Sequence, residues 1–127
     1  NFKLKKLNNI ILKRRNNFKI YKNNLSKKVF FPIESRGEFN TYHTFVIQVE
    51  NRNKLRKYLL KNKIMTSIHY PVPIHLQPAA KKLGYKKGDF PETENQSKKI
   101  LTLPIHQDLT KREIIRVCKL VNKFVGN

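Results

Sequence analysis

Apolar residues recur at spacings of three, four and seven over the first 25 positions of the chain. This spacing places one apolar stripe along a single helix face, so we predict one helix over roughly residues 2 to 25. Arg14 falls on the stripe where an apolar residue is expected. Its guanidinium either reaches water along the aliphatic stem or contacts a partner from another domain, and we expect the first. The stripe consists of Leu4, Leu7, Ile11, Phe18, Tyr21 and Leu25.

Short stretches that favour strands and helices alternate after this helix. The run at 29 to 33 is too short for a helix and contains proline, so we predict an extended segment. Residues 42 to 49 are rich in β-branched and aromatic side chains and form the clearest predicted strand. Asn51 can cap a helix that ends near Asn62, and a short strand at 65 to 70 completes a strand, helix, strand unit.

Proline and glycine punctuate the next part of the chain. Three prolines between residues 71 and 78 fix their own backbone angles and disfavour helix before them, which predicts a stiff, extended connection. A helical turn over 77 to 83 is expected to end at Gly84. A polar helix follows at about 92 to 99.

The C-terminal quarter begins with a brief predicted strand at 101 to 104 and continues into a helix. Thr110 and Glu113 have the spacing of a capping box, which satisfies backbone amides at a helix start, and Gly126 ends the helix. Strands and helices that cover one another predict an α+β fold with a short, mostly antiparallel sheet covered by helices.

Composition narrows the class of protein. The net charge of +20 would attract a polyanion such as nucleic acid, but the basic residues lie along the whole chain rather than in one arm. We interpret the charge mainly as a surface property, which would still favour an anionic ligand such as a nucleotide sugar. No apolar run approaches the roughly 18 residues that cross a bilayer, so we expect a soluble, cytoplasmic protein with no membrane partner. The single cysteine, Cys118, excludes an internal disulfide and is expected in the core.

The candidate chemistry is sparse. Of the four histidines, only His69 and His75 are close in sequence, and no cysteine or carboxylate completes a ligand set, so we expect no metal site. No glycine-rich phosphate loop and no glycine-flanked serine is present. His69 and Tyr70 stand at the end of a predicted strand before the proline-stiffened connection. They either brace the strand end and core or present two polar aromatic groups to a ligand, and the residues alone favour the structural role.

Five segments, in order and at matching separations, resemble the C-terminal domain of the DegT/DnrJ/StrS family of sugar aminotransferases. The most specific are HYPVPIHLQP at 69 to 78 and the GDFP turn within LGYKKGDFP at 83 to 91. The others are Arg15 with Tyr21 on the first helix, the strand YHTFVI at 42 to 47, and LTLPIHQDLT at 101 to 110.

The resemblance implies a fold-type-I enzyme that uses pyridoxal phosphate (PLP), usually as a homodimer. Such enzymes transfer an amino group from glutamate to a keto group on a nucleotide-linked sugar. The resemblance also implies that residues 1–26 link to an N-terminal large domain and that residues 27–127 form the small C-terminal α+β domain. The chain starts with Asn1 and without a leader, so we expect a piece of a longer protein.

The same resemblance assigns a substrate-facing edge and no catalytic residue. His69 and Tyr70 would face the cleft for sugar and cofactor. His75 and Gln77 would either be their neighbours or only brace the proline loop. The cofactor lysine would lie in the N-terminal domain, so the cofactor-binding residues stay unassigned and the fragment alone is expected to be inactive.

Two other functions stay open at this point. One is a family relative that dehydrates sugars, in which histidine replaces the cofactor lysine. The other is a basic nucleic-acid-binding module, which would need aromatic side chains interleaved with Lys and Arg on one exposed face. Because most aromatic residues fall in the apolar stripes and strands, we expect no nucleic-acid partner.

Overall fold

The computed structural model describes residues 2–126 of the 127-residue chain. Two 3-10 turns, Ile74–Leu76 and Pro78–Leu83, lie between the third and fourth helices. In chain order the elements are α1 Phe2–Lys5, α2 Leu7–Asn24, β1 Phe45–Gln48, α3 Arg52–Lys61, α4 Pro91–Lys99, β2 Ile100–Leu103 and α5 Lys111–Gly126.

The sheet is short and antiparallel, as predicted. In the β1–β2 pair, Phe45 lies opposite Leu103 and Gln48 lies opposite Ile100. Single antiparallel bridges extend this pair on both sides, from Phe30 to Gln48 and from Ser67 to Thr102. The α+β fold class is therefore confirmed.

The prediction of a strand at 65 to 70 was wrong in its length, because the structure has only a single bridge there. Only Ser67 exchanges both backbone hydrogen bonds with Thr102, at 3.2 and 2.8 Å. Met65 is 82% exposed, so its side chain does not hold the start of the segment against the sheet. The strand predicted at 42 to 49 is also shorter than expected, because Tyr42 has φ near 49° and ordered pairing starts only at Phe45.

The core lies between the sheet and helices α2, α3 and α5. Rings from α2 and β1 meet at its centre, with Tyr21 4.8 Å and Phe18 5.6 Å from Phe45 between ring centroids. Cys118 is buried within this core, as predicted. The other buried members are Val29, Tyr42, Ile47, Val49, Leu55, Leu59, Ile64, Leu101, Leu103, Ile105, Ile114, Val117 and Val121.

The first helix differs from the single helix that was predicted. It is divided at Lys6 into α1 and α2. Leu4 and Leu7 are exposed, whereas Phe18 and Tyr21 are buried. The apolar stripe is thus buried only in its second half, and the exposed side chains of Leu4 and Leu7 contribute little packing that would hold the helix straight.

The helix ends follow local chemistry in two of three cases. At α5 the backbone N–H of Thr110 donates to Glu113 Oε2 (2.8 Å) and the N–H of Glu113 donates to Thr110 Oγ1 (3.3 Å), which confirms the capping box. Gly84, with φ of 79°, ends the second 3-10 turn as predicted. Asn51 does not cap α3 through its side chain: it adopts a left-handed conformation instead, so that prediction was wrong.

In the described residues, no helix has both the length and the apolar character needed to cross a membrane.

Candidate functional site

A groove of about 370 Å³ lies at the end of the sheet where β1 begins and β2 ends. Four parts of the chain line it: Arg14 on α2, residues 43 and 44 before β1, the loop at 65 to 69, and residues 102 to 106. The antiparallel pairing of β1 with β2 brings the second and fourth parts side by side. Three of the four histidines of the chain, His43, His69 and His106, line this groove.

Side chains on one face of α2 donate hydrogen bonds to two chain segments that line the groove. Arg14 donates through Nη1 to the carbonyl oxygens of Tyr42 (3.3 Å) and His43 (2.7 Å). Asn17 Nδ2 donates to the carbonyl of His106 at 2.8 Å. The hydroxyl of Tyr21 donates to the carbonyl of Pro104 at 2.7 Å. Positions 14, 17 and 21 are three and four residues apart, so their side chains lie on one helix face.

Arg14 therefore has a role that the sequence did not predict. Its side chain was expected to reach water, but besides the two carbonyl bonds its Nη2 donates to Gln107 Oε1 at 3.4 Å. All three acceptors belong to this chain. The prediction was wrong because the acceptors lie 28 or more residues later in the sequence, and helix periodicity does not reveal such contacts.

His69 lies in the groove with one ring nitrogen held. Its Nδ1 is 2.9 Å from Thr102 Oγ1, a hydrogen bond whose donor depends on the imidazole tautomer. The peptide bond between His69 and Tyr70 is cis. The Tyr70 ring stands edge-on to the imidazole at 5.5 Å and is 64% exposed. The bond to Thr102 fixes the imidazole plane and leaves Nε2 for another partner.

His75 and Gln77 lie outside the groove. His75 is buried, and its Nε2 is 3.1 Å from Glu94 Oε1, the same oxygen that accepts the backbone N–H of Gly88 at 2.7 Å. These contacts hold the pKa of Glu94 below its usual value, with the Gly88 amide as the largest cause. Gln77 donates through Nε2 to the carbonyl of Val72 at 3.2 Å, which braces the proline loop.

A second, mostly apolar pocket of about 340 Å³ lies beside His75. Its lining consists of Ile74, His75, Ala80, Leu83, Tyr85, Phe90 and Thr93. The four residues predicted to face substrate are thus divided: His69 lines the groove with Tyr70 beside it, while His75 and Gln77 belong to the neighbouring loop.

The loop before β1 is held by the arginine that follows Arg14. Arg15 forms a two-pronged ion pair with Glu34, with Nη1–Oε1 at 2.7 Å and Nη2–Oε2 at 2.9 Å, and also donates to the carbonyl of Asn40 at 2.7 Å. Its guanidinium lies 4.5 Å from the Phe39 ring centre. The hydrogen bond and the charge of Arg15 lower the pKa of Glu34. Arg14 and Arg15, which are adjacent on α2, thus bond to adjacent parts of the loop before β1.

The described residues contain no cluster of three or more His, Cys, Asp or Glu side chains that could hold a metal ion. The groove itself has histidines and hydroxyl groups but no carboxylate in its lining. Its polar groups can donate hydrogen bonds to hydroxyl groups or to an anion.

Among the curated proteins similar to this chain, one is named as a regulatory protein and others as transaminases. The chain is 34% identical over 96 residues to a pleiotropic regulatory protein of Geobacillus stearothermophilus, covering 76% of this chain and 26% of the relative. It is 30% identical over 96 residues to the dTDP-3-amino-3,6-dideoxy-alpha-D-galactopyranose transaminase of Aneurinibacillus thermoaerophilus, with the same coverage of 76% and 26%. The chain thus spans about a quarter of the length of these curated relatives.

The fold is similar to parts of solved aminotransferases. DesV of S. venezuelae, solved in complex with a ketimine intermediate, matches with a TM-score of 0.94 and 27% identity over 99% of this chain and 34% of that chain. Spr1654 of Streptococcus pneumoniae has been solved in PMP and PLP forms. It matches with TM-scores of 0.88 and 0.86 at 20% identity, covering 97% of this chain and about a third of that chain.

The family match extends over residues 1–122 and includes the groove, the proline loop and most of α5. The resemblance inferred from HYPVPIHLQP and the other four segments is therefore confirmed, and the chain belongs to the DegT/DnrJ/EryC1/StrS aminotransferase family.

Proposed function

We propose that this chain is the small C-terminal domain of an aminotransferase that moves an amino group from glutamate to a keto group of a nucleotide-linked sugar. The observation that carries the proposal is the similarity to DesV over 99% of this chain but only 34% of that chain. Residues 1–26 would link this domain to the large domain, and residues 27–127 would form it. We further propose that the intact protein is a cytoplasmic homodimer.

The cofactor would be held mainly by the large domain. A lysine that binds PLP covalently is usually desolvated or activated by its surroundings. Among the lysines whose burial the structure describes, Lys99 is half-buried and pairs with Glu50 at 2.6 Å, and all others are exposed. No lysine lines the groove. The described residues do not fit covalent attachment of PLP, and we assign that attachment to the N-terminal domain.

This division of work has a direct test. The 127-residue chain incubated with PLP should give no visible absorbance band of a protein-bound aldimine and no transamination. The same chain extended by its upstream coding sequence should give both. Stoichiometric covalent binding and turnover by the 127-residue chain would overturn the assignment.

We propose that His69 and Tyr70 contact the sugar, with His75 and Gln77 as neighbours on the proline loop. Thr102 would act as a positioning residue, because its hydroxyl fixes one nitrogen of His69. In the extended protein, His69→Asn and Tyr70→Phe should lower kcat/KM for the sugar by about ten-fold or more, the effect of losing one hydrogen bond to a substrate. Thr102→Val should have a smaller effect in the same direction.

Tyr85→Phe is the matched control for Tyr70→Phe. Tyr85 is also a partly exposed aromatic residue, but it lines the apolar pocket and not the groove. We expect this variant to keep the kcat/KM of the unmodified protein. Equal losses for Tyr70→Phe and Tyr85→Phe would contradict a specific contact between Tyr70 and the sugar.

The dehydratase alternative differs at one upstream position. A lysine at the cofactor-attachment position would support transamination, and a histidine there would support dehydration. Reaction of the extended protein with a keto sugar and glutamate separates them, because only the transaminase releases 2-oxoglutarate in proportion to amino sugar formed.

We also propose that nucleic acid is not a partner. One basic groove of the described residues is lined by Lys111, Arg112, Arg116 and Lys119 on α5 together with Ile115, and its lining has no aromatic side chain on which a base could stack. Titration with duplex and single-stranded DNA near physiological salt should give weak binding. Tight binding with a steep dependence on salt would contradict this proposal.

A further inference from the structure

The groove beside His69 has the electrostatic character of a site for a single negative charge. Arg14 is the one permanently charged side chain in its lining, and the lining contains no Asp, Glu or Lys. The lining also includes His43, His69 and His106, whose imidazole rings can donate hydrogen bonds. An anion that enters this groove therefore meets one guanidinium and several donors, and no described carboxylate of the lining opposes it.

Arg14 is held in place before any ligand arrives. Its three hydrogen bonds, to Tyr42, His43 and Gln107, use the terminal nitrogens Nη1 and Nη2 and not Nε. The acceptors are two carbonyls and an amide oxygen, so none of them neutralises the guanidinium. A fixed and uncompensated guanidinium can bind an anion with little loss of side-chain entropy.

Transamination requires that the amino donor and the keto sugar react in turn at one cofactor. If His69 faces the sugar, as proposed above, the same cleft must then admit the donor when the sugar is absent. The donor differs from the sugar ring in one relevant way, since glutamate carries carboxylates.

We propose that Arg14, together with His43 and His106, binds a carboxylate of the amino donor. This inference depends on the proposed function and extends it by naming residues for the second substrate. The predicted substrate-facing set did not include His43 or His106, and Arg14 was expected to reach water. His43 and His106 would be donor-binding residues, and Gln107 would position Arg14.

The charge of the groove favours a carboxylate over the diphosphate of a nucleotide sugar. One guanidinium matches one carboxylate in charge, whereas a diphosphate carries about two negative charges and is typically held by several Lys or Arg side chains. Lysines are absent from the lining of the groove. The diphosphate is therefore an alternative that the experiment should exclude.

The test is an NMR titration of the isotope-labelled 127-residue chain with glutarate, with uncharged glutaramide and with inorganic pyrophosphate. We expect glutarate to shift the backbone amides of residues 43, 44 and 106 and the imidazole signals of His43 and His106. Glutaramide should not shift them. Arg14→Gln should weaken glutarate binding by about ten- to a hundred-fold, the value expected for a charged hydrogen-bonded pair.

Two further variants separate binding from folding. Arg56→Gln removes an exposed guanidinium on α3 and changes the net charge equally, so it should leave the glutarate titration unchanged. His106 is exposed, and Asn17 donates to its backbone carbonyl rather than to its ring. His106→Asn should therefore keep the fold and weaken glutarate binding. Equal weakening by Arg14→Gln and Arg56→Gln would overturn the proposal.

Other outcomes also decide the question. Absence of glutarate shifts at the groove, equal shifts with glutaramide, or tighter binding of pyrophosphate at the same residues would each refute the carboxylate site. The proposed function is tested separately by 2-oxoglutarate release in the extended protein. A protein that transaminates while Arg14→Gln leaves the KM for glutamate unchanged would keep the function and refute this inference.

Discussion

The hydroxyl groups of Tyr21 and Tyr42 are both buried in the core, but only one of them has a hydrogen-bond partner. Tyr21 is fully buried, and its hydroxyl donates to the carbonyl of Pro104 at 2.7 Å. The hydroxyl of Tyr42 is also buried, and it has no partner among the described residues. Changing each tyrosine to phenylalanine removes the same atom from two different environments.

The expected free-energy changes have opposite signs. Tyr21→Phe loses a hydrogen bond with a net value of about 0.5–1.5 kcal/mol, and the Pro104 carbonyl that it leaves is only half-buried, so we expect destabilisation of about 0.5–1.5 kcal/mol. Tyr42→Phe removes a buried polar group that no bond compensates, so we expect a change between zero and about 1 kcal/mol of stabilisation. The two variants should therefore differ by about 0.5–2.5 kcal/mol.

Urea unfolding followed by far-UV circular dichroism measures this difference. Tyr58→Phe is the matched control, because Tyr58 is only partly buried and its ring packs on Phe124 without a hydroxyl bond in the described residues. The midpoint for Tyr21→Phe should fall below that of the control, and the midpoint for Tyr42→Phe should equal or exceed it, with unchanged m-values. Equal destabilisation by Tyr21→Phe and Tyr42→Phe would refute the assignment of the two hydroxyl environments.

Two other predictions concern titrating groups. Burial raises the pKa of Cys118 to about 12, so a thiol reagent at neutral pH should modify the folded chain only as fast as it opens, and fast labelling of the folded chain would contradict this. The Gly88 amide and His75 hold the pKa of Glu94 below its unfolded value of about 4.3, so its stabilisation is present above that pH and is lost as pH falls through the folded pKa. Glu94→Gln should therefore reduce the loss of unfolding free energy at acidic pH. Glu92→Gln, which changes an exposed residue on the same helix, should not reduce it. Identical dependence of the unfolding free energy on pH in the two variants would argue against the role of Glu94.

Local chemistry explains which elements could be predicted from sequence. The α5 start depends on Thr110 and Glu113, which are three residues apart, and the 3-10 turn end depends on Gly84 alone. The extent of the strand at 65 to 70 depends on packing against distant residues, and it was overestimated. Asn51 shows the same limit, because the tertiary position of the chain before α3 overrides its capping propensity.

The candidate site could be predicted only in part for a related reason. His69 stands at a recognisable strand end within HYPVPIHLQP, so sequence alone drew attention to it. Arg14, His43 and His106 meet in the groove from positions separated by up to 92 residues, and no spacing rule connects them. The available signal was weak: Arg14, Asn17 and Tyr21 are polar or amphipathic residues that fall on the buried face of an otherwise apolar helix stripe.

The spacing of these three residues couples the stability of α2 to the shape of the groove. Arg14 donates hydrogen bonds to the segment before β1, while Asn17 and Tyr21 donate to the segment after β2. Because the three side chains are carried by two turns of one helix, a rotation or shift of α2 would move both segments together rather than open one against the other. Tyr21 was among the residues that carried the family resemblance, and its hydrogen bond to Pro104 gives that resemblance a physical basis. Because Pro104 lines the groove, loss of the Tyr21 hydroxyl should disturb the groove as well as the core.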